Sequence, residues 1–181
     1  MKKIILRTIA VISILALSGC GLLFPDKDED YSGSFTADTP VSGAGGTVTL
    51  QENRVSGDQV YLDVYVEGVT DMLGASLKIN YDPSILDWGG SNEAGSLLEG
   101  GGSPNYLVND GNIGELIIGV SLSGGDTAAN GNGVLITVPF RVVGQGESTI
   151  GFFSSVLTDS TLADIAAVTF NGGSIVGIKS Y

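Results

Sequence analysis

The chain contains no histidine and a single cysteine, Cys20. The first absence excludes His-based catalytic triads, and the second excludes an intramolecular disulfide. Basic residues are scarce: 8 Lys and Arg stand against 20 Asp and Glu, a net charge of −12. Such a surface repels nucleic acid and anionic lipid headgroups. No segment shows a convincing helical period of useful length. The Gly-rich stretch Leu98-Glu99-Gly100-Gly101-Gly102 lacks the Lys-Ser/Thr of a phosphate loop and reads as a flexible connection. Carboxylates are plentiful, but no pair stands out as the acid and base of a glycosidase. A non-catalytic protein with no cofactor is expected.

Lys2, Lys3 and Arg7 precede a mostly apolar run over residues 9–17, which leads into Leu17-Ser18-Gly19-Cys20. A basic start, a short apolar middle and small residues at the end describe a secretory signal, and the middle is too short to span a bilayer well. The last four residues resemble a bacterial lipobox, which implies that residues 1–19 are removed and that Cys20 is lipidated. Removal takes away three basic residues and no acidic one, leaving a net charge of −15. Membrane attachment must then come from acyl chains, two or more of which suffice. Gly21 rather than Asp after the cysteine, by resemblance to Gram-negative lipoproteins, implies the outer membrane, on its periplasmic or surface-exposed face. Residues 20–45 hold the acidic PDKDEDYSGS and the flexible SGAGG. Neither buries much apolar surface, so a disordered tether is expected there.

From residue 46 onward, short runs alternate apolar and polar side chains between clusters of Gly, Asn, Asp and Ser. Over 60–67, Val60, Leu62, Val64 and Val66 share one side, with Tyr61, Asp63, Tyr65 and Glu67 on the other. Over 75–81, Ala75, Leu77, Ile79 and Tyr81 point in, with Ser76, Lys78 and Asn80 out. Leu116, Ile118, Val120 and Leu122 form a third apolar face, and Val134, Ile136, Val138, Phe140 and Val142 a fourth. Briefer candidates cover 47–51, 85–88, 106–108, 149–153, 167–170 and 174–178. A period of two marks half-buried strands. Nine or so such strands pair their apolar faces best as two sheets about 10 Å apart. An all-β, nine-stranded jelly-roll sandwich over residues 46–179 is therefore expected. Pro139 cannot donate to a ladder, so its strand should have an edge, a bulge or a crossing there. Asp82-Pro83 should stop one strand and turn the chain.

Four pieces in order resemble the cohesin family: residues 60–68; residues 74–88 with Tyr81-Asp82-Pro83 and Leu86; residues 133–143; and Phe170-Asn171-Gly172-Gly173-Ser174-Ile175. The resemblance covers 46–179. It implies a nine-stranded jelly roll, related to the sandwiches of carbohydrate-binding modules, that binds dockerin modules often carried by polysaccharide-degrading enzymes. It also implies that the binding surface is the outer face of the sheet holding the strands at 75–81, 106–108, 115–122 and 134–142. The chain departs from the better-studied pattern at Gly74 and Ser76, where Asn and Asp are usual, and at Ser123, where an acidic residue is common.

The partner-binding candidates on that face are Ser76, Lys78, Asn80, Tyr106, Ile117, Ser121, Ser123, Leu135, Thr137 and Arg141. Ile117 and Leu135 are the expected apolar centre among polar neighbours, the look of a partner patch; a plain solvated sheet face is the other reading. Tyr61 and Tyr65 lie four apart on one outward face, about 13 Å from each other, and could stack on sugar rings or pack across strands. Asn109, Asp110 and Asn112 offer oxygen ligands suited to Ca²⁺, although Asp110-Gly111 is first a turn signal. Three functions remain open: a lipid-anchored cohesin-type module, direct polysaccharide binding, and an envelope lipoprotein with a different protein partner.

Overall fold

The structure, a computed structural model, describes residues 30–180. The expected signal sequence, Cys20 and the first part of the expected tether lie outside the described residues. The elements are β1 (Tyr31–Ala37), β2 (Thr47–Ser56), β3 (Gln59–Asn80), β4 (Leu86–Trp88), β5 (Glu93–Ala94), β6 (Asn105–Asp110), β7 (Glu115–Ser121), β8 (Ala129–Val142), β9 (Gly146–Phe152), β10 (Val156–Asp159), β11 (Thr169–Asn171) and β12 (Gly173–Lys179). No helix occurs among the described residues.

The two clean alternating runs at 60–67 and 75–81 are halves of one strand, β3, 22 residues long. Its first half pairs with β2 and β8, and its second half with β7 and with β10 and the end of β9. Between the halves the chain bends through Gly68 (φ +71°) and Asp71 (φ +60°). Side chains from β8 hold this bend: the Gly68 N–H donates to Asn132 Oδ1 at 2.7 Å, and the Asp71 N–H to Asn130 Oδ1 at 2.9 Å. An irregular stretch thus keeps its backbone donors satisfied and carries one strand from layer to layer.

One layer is β11-β2-β3-β8, with β4 and β5 on the far edge of β8. The other is β6-β7-β3, continued by β10 and β9, and from β9 through β12 to β1. Val60, Leu62, Val64, Leu77, Ile79, Leu116, Ile118, Ile136, Val138 and Phe140 fill the space between at 0% exposure. Tyr81 meets Phe140 edge-on at 5.4 Å between ring centres. Each such side chain contributes roughly 1.5–3 kcal/mol by leaving water, so the alternation itself is the chief cause of the fold.

Among the described residues twelve strands replace the nine expected, because β1, β5 and β10 are not legible as alternations. β1 corrects the domain boundary. Residues 31–37 are not tether; they pair in full register with β12, from Tyr31↔Lys179 to Ala37↔Gly173. Gly33 makes the fit possible, since a Cβ there would lie 2.7 Å from Val142 Cγ2 and 2.8 Å from Val60 Cγ2. Residues 38–45 are bonded too, with the Val41 N–H on Asn171 Oδ1 and the Gly45 N–H on the Ala167 carbonyl.

Pro139 lies at a gap in pairing. Its carbonyl accepts the Gly89 N–H at 2.9 Å, on the side where β4 has ended and β5 has not begun. In an antiparallel strand N–H and C=O point the same way, so the missing donor falls where no ladder needs it. Asp82-Pro83 makes the expected turn. The Asp82 carbonyl accepts from Ile85 and Leu86, and its carboxylate takes the Ser84 hydroxyl at 2.6 Å and the Ser84 N–H at 2.9 Å. Those two bonds hold the Asp82 pKa below the usual 3.8.

Candidate functional site

The outer face of β6-β7-β3-β10 is ruled by register. Residues directly opposite in antiparallel strands share a face, so the pairings define rows across it. One row is Leu107, Gly119, Ser76 and Val156. The next is Asn109, Ile117 and Lys78, closed by Phe153, whose N–H bonds the Lys78 carbonyl at 3.0 Å. Asn105, Ser121, Gly74 and Thr158 form a third row, and Glu115 and Asn80 continue the other end. The centre is apolar: Leu107 is 66% and Phe153 37% exposed, and Ile117 is half-buried. Gly119 leaves a hollow beside Leu107, with no atom closer than 3.7 Å to where its Cβ would be. Around this centre lie Asn80, Asn105, Asn109 and Ser121. The Lys78 ammonium stands 3.6 Å from Glu115 Oε1 and 5.8 Å from the centre of the Phe153 ring.

Of the expected partner-binding residues, Ser76, Lys78, Asn80, Ile117 and Ser121 come together on this face. Ser123 is exposed in the turn just past β7, where its N–H bonds Asp126 Oδ2 at 3.0 Å. The other four are placed differently. Tyr106 is opposite Val120 and so points inward; it packs on the core, with its hydroxyl 3.3 Å from the Gly95 carbonyl. That burial pushes the Tyr106 pKa up. Leu135, Thr137 and Arg141 belong to the other layer, because β8 pairs with the first half of β3. The register slips between Val64↔Ile136 and Tyr65↔Val134, so Leu135 is the extra residue of a bulge and turns inward at 0% exposure. Thr137 is buried too, donating to Asp63 Oδ1 at 2.5 Å. Arg141 is exposed and pairs with Asp87 at 2.6 Å.

Leu107, Phe153 and Val156 were missed. A three-residue candidate at 106–108 gives no phase, and β10 shows no alternation of its own. Gly74 has a packing reason: a Cβ there would lie 2.7 Å from the Val120 carbonyl oxygen. An Asn or Asp there has no room without a shift of β7.

Tyr61 and Tyr65 lie on the outer face of the opposite layer, both half-buried. The Arg54 guanidinium covers one face of the Tyr61 ring at 3.6 Å and is itself paired with Glu93. The Tyr61 hydroxyl donates to Gln59 Oε1 at 2.6 Å. Hydrogen bonding within the Arg54–Glu93 pair raises the arginine's pKa and lowers the glutamate's. Tyr61 is thus a packed residue, with one stacking face already occupied.

Asn109, Asp110 and Asn112 lie at the β6–β7 hairpin. Asn112 donates to Glu115 Oε2 at 2.9 Å, and Gly114 takes φ +79° in the turn. Among the described residues no three His, Cys, Asp or Glu side chains form a group that could hold a metal ion. Asp110 instead borders a cleft of about 420 Å³ with Tyr81, Pro83, Asp87, Ile113 and Val143. Burial, then the Asp87 and Asp110 charges, raise the Tyr81 pKa.

A family model described as Cohesin domain matches residues 46–176. The chain belongs to the cohesin family. Its fold is similar to a type II cohesin domain from the cellulosome of Acetivibrio cellulolyticus, at 18% identity and TM-score 0.60, covering 75% of this chain and 95% of that one. The sixth cohesin of scaffoldin B from the same organism, solved in complex with a mutant Cel5 dockerin, is 19% identical with TM-score 0.55, covering 74% and 97%. A non-cellulosomal cohesin from the hyperthermophilic archaeon Archaeoglobus fulgidus is 21% identical with TM-score 0.50, covering 65% and 80%. No curated relative matches in sequence. At these identities the likeness to solved cohesins is one of fold. β1 lies before the matched region, so this cohesin carries an N-terminal strand beyond it.

Proposed function

We propose that this cohesin is a non-catalytic binding module whose partner docks on the outer face of β6-β7-β3-β10, and that the partner is a dockerin-type module. The observation that carries the reading is the row Leu107–Gly119–Ser76–Val156 with Ile117 and Phe153: a shallow apolar centre, hollowed at the glycine and rimmed by polar side chains. Apolar cores with polar rims are what docked proteins bury. A cohesin of similar fold is solved bound to a dockerin, which supports the same class of partner here. Gly74, Ser76 and Ser123 in place of the more usual polar and acidic groups favour a partner held more by apolar contact than by hydrogen bonds.

The lipobox-like Leu17-Ser18-Gly19-Cys20 supports a lipid anchor on the cell envelope, holding the partner near the membrane. The test is capture. The mature chain with Cys20→Ser, immobilised and exposed to proteins secreted by its host, should retain a dockerin-bearing protein, and Ile117→Asp should abolish retention. Capture of nothing with dockerin repeats, or capture that Ile117→Asp leaves intact, would overturn the reading.

A further inference from the structure

Of eight large hydrophobic side chains that stand exposed among the described residues, four gather at one end of the sandwich. Ile113, 91% exposed, tips the β6–β7 hairpin, and Val143 follows β8; both border the cleft beside Pro83. Val55 flanks the β2–β3 turn, whose Asp58 carbonyl accepts the Val142 N–H at 2.8 Å. Ile178 adjoins Gly177, which packs against the Gly144 carbonyl.

The chain leaves the fold at this same end. Tyr31 pairs with Lys179, and the Asp30 carbonyl accepts the Ser180 N–H at 2.7 Å. Gly33 and Gly177, two residues further along, pack on Val142 and the Gly144 carbonyl. Asp30 is therefore about 10 Å of extended chain from contact with the Val143 turn. Cys20 precedes Asp30 by ten residues, at most about 36 Å fully extended. The first part of that stretch, Leu22-Leu23-Phe24, is apolar.

We propose that this end of the sandwich rests on the bilayer surface, with Ile113 and Val143 in its interfacial layer. The inference rests on the lipid-anchor reading. A short tether confines the domain to the interface, and the end it presents there holds four of the exposed aliphatics, two of them, Ile113 and Val143, beside one cleft. Charge selects the lipid. Asp30, Asp58, Asp82 and Asp110 border this end, with Lys179 and, beside Asp87, Arg141. An acidic rim is repelled by anionic headgroups, so the fitting surface is zwitterionic.

The test uses the full acylated chain in phosphatidylcholine vesicles. Its one native cysteine carries the lipid, so Ile113→Cys or Leu162→Cys provides a single thiol for a polarity-sensitive fluorophore. Leu162 is 74% exposed and lies just past β10, where Thr158 pairs with Gly74 at the opposite end of the second half of β3. The label at 113 should shift to the blue and be quenched by a lipid-borne nitroxide, while the label at 162 stays water-like. Replacing half the lipid with phosphatidylglycerol should reduce the shift at 113. An acylated chain whose label at 113 behaves like that at 162 overturns the membrane contact and leaves the anchor standing. A purified chain whose mass shows Cys20 unmodified overturns both.

Discussion

Leu107 and Gly119 face each other directly across the β6–β7 ladder, and the absence of a side chain on one leaves the other standing clear. The glycine is not needed for its backbone, since its φ lies outside the left-handed region and a Cβ there meets only ordinary contacts. Gly119→Ala should therefore hold or raise stability, by about 0.4–1 kcal/mol, while filling the hollow and weakening partner capture. Denaturant midpoints and capture assays on the same sample should move in opposite senses. A variant that loses stability and keeps its partner would remove the hollow from the binding face.

Leu107 and Leu135 offer a second contrast between surface and core. Leu107→Ala should change stability by no more than about 0.5 kcal/mol and cost binding. Leu135→Ala empties a bulge position at 0% exposure and should cost about 2–5 kcal/mol. Urea unfolding of the two variants settles which leucine belongs to the surface.

Gly33→Ala tests whether β1 is part of the fold. The added methyl meets Val142 and Val60 at under 3 Å, an overpacking that costs about 1–3 kcal/mol. In a free tether the same change would leave the melting temperature where it was. Deleting residues 31–37 should lower it further, because β12 loses its outer partner.

Acid should act through two turn carboxylates. Asp159 accepts the Thr161 hydroxyl at 2.7 Å and the N–H groups of Thr161 and Ala163 at 2.8 and 3.0 Å. The Thr161 hydroxyl, then the backbone donors, hold its pKa below 3.8, as Ser84 does for Asp82. A depressed folded-state pKa adds stability above the unfolded-state value, and that stability is lost as pH falls through the folded value. The double variant Asp82→Asn, Asp159→Asn should be less stable at neutral pH and lose less between about pH 5 and pH 2. Thermal melts across that range, parallel to those of the unaltered chain, would rule the two turns out.

The sandwich was readable because burial imposes a period of two on long strands: Leu77, Ile79, Leu116 and Ile118 announce both the strand and its phase. The order of family motifs pointed to the sandwich but grouped residues 134–142 with 75–81 and 115–122, whereas β8 pairs with the first half of β3 in the other layer. What escaped did so for physical reasons. β1 reads as tether because its inner face includes Gly33, chosen for close approach rather than for area buried. Leu135 reads as outward because a bulge inserts one residue and reverses phase locally. Tyr106 was assigned to the wrong face because a three-residue run carries no phase until its partner, Val120, is known. Five of the ten candidate residues, Ser76, Lys78, Asn80, Ile117 and Ser121, lie on the proposed face. Its most exposed hydrophobic side chain, Leu107, is not among them.

β1 runs from Asp30 into the domain alongside β12 over seven register pairs, Tyr31↔Lys179 to Ala37↔Gly173. Under the proposed anchoring at Cys20, a pull directed along the axis of β1 enters the domain at Asp30. The strand cannot then peel from β12 one residue at a time; it must slide, straining all seven pairs together, while Gly33 seated against Val60 and Val142 resists the same displacement. The joint is loaded in shear, the geometry in which a ladder of weak bonds holds the greatest force.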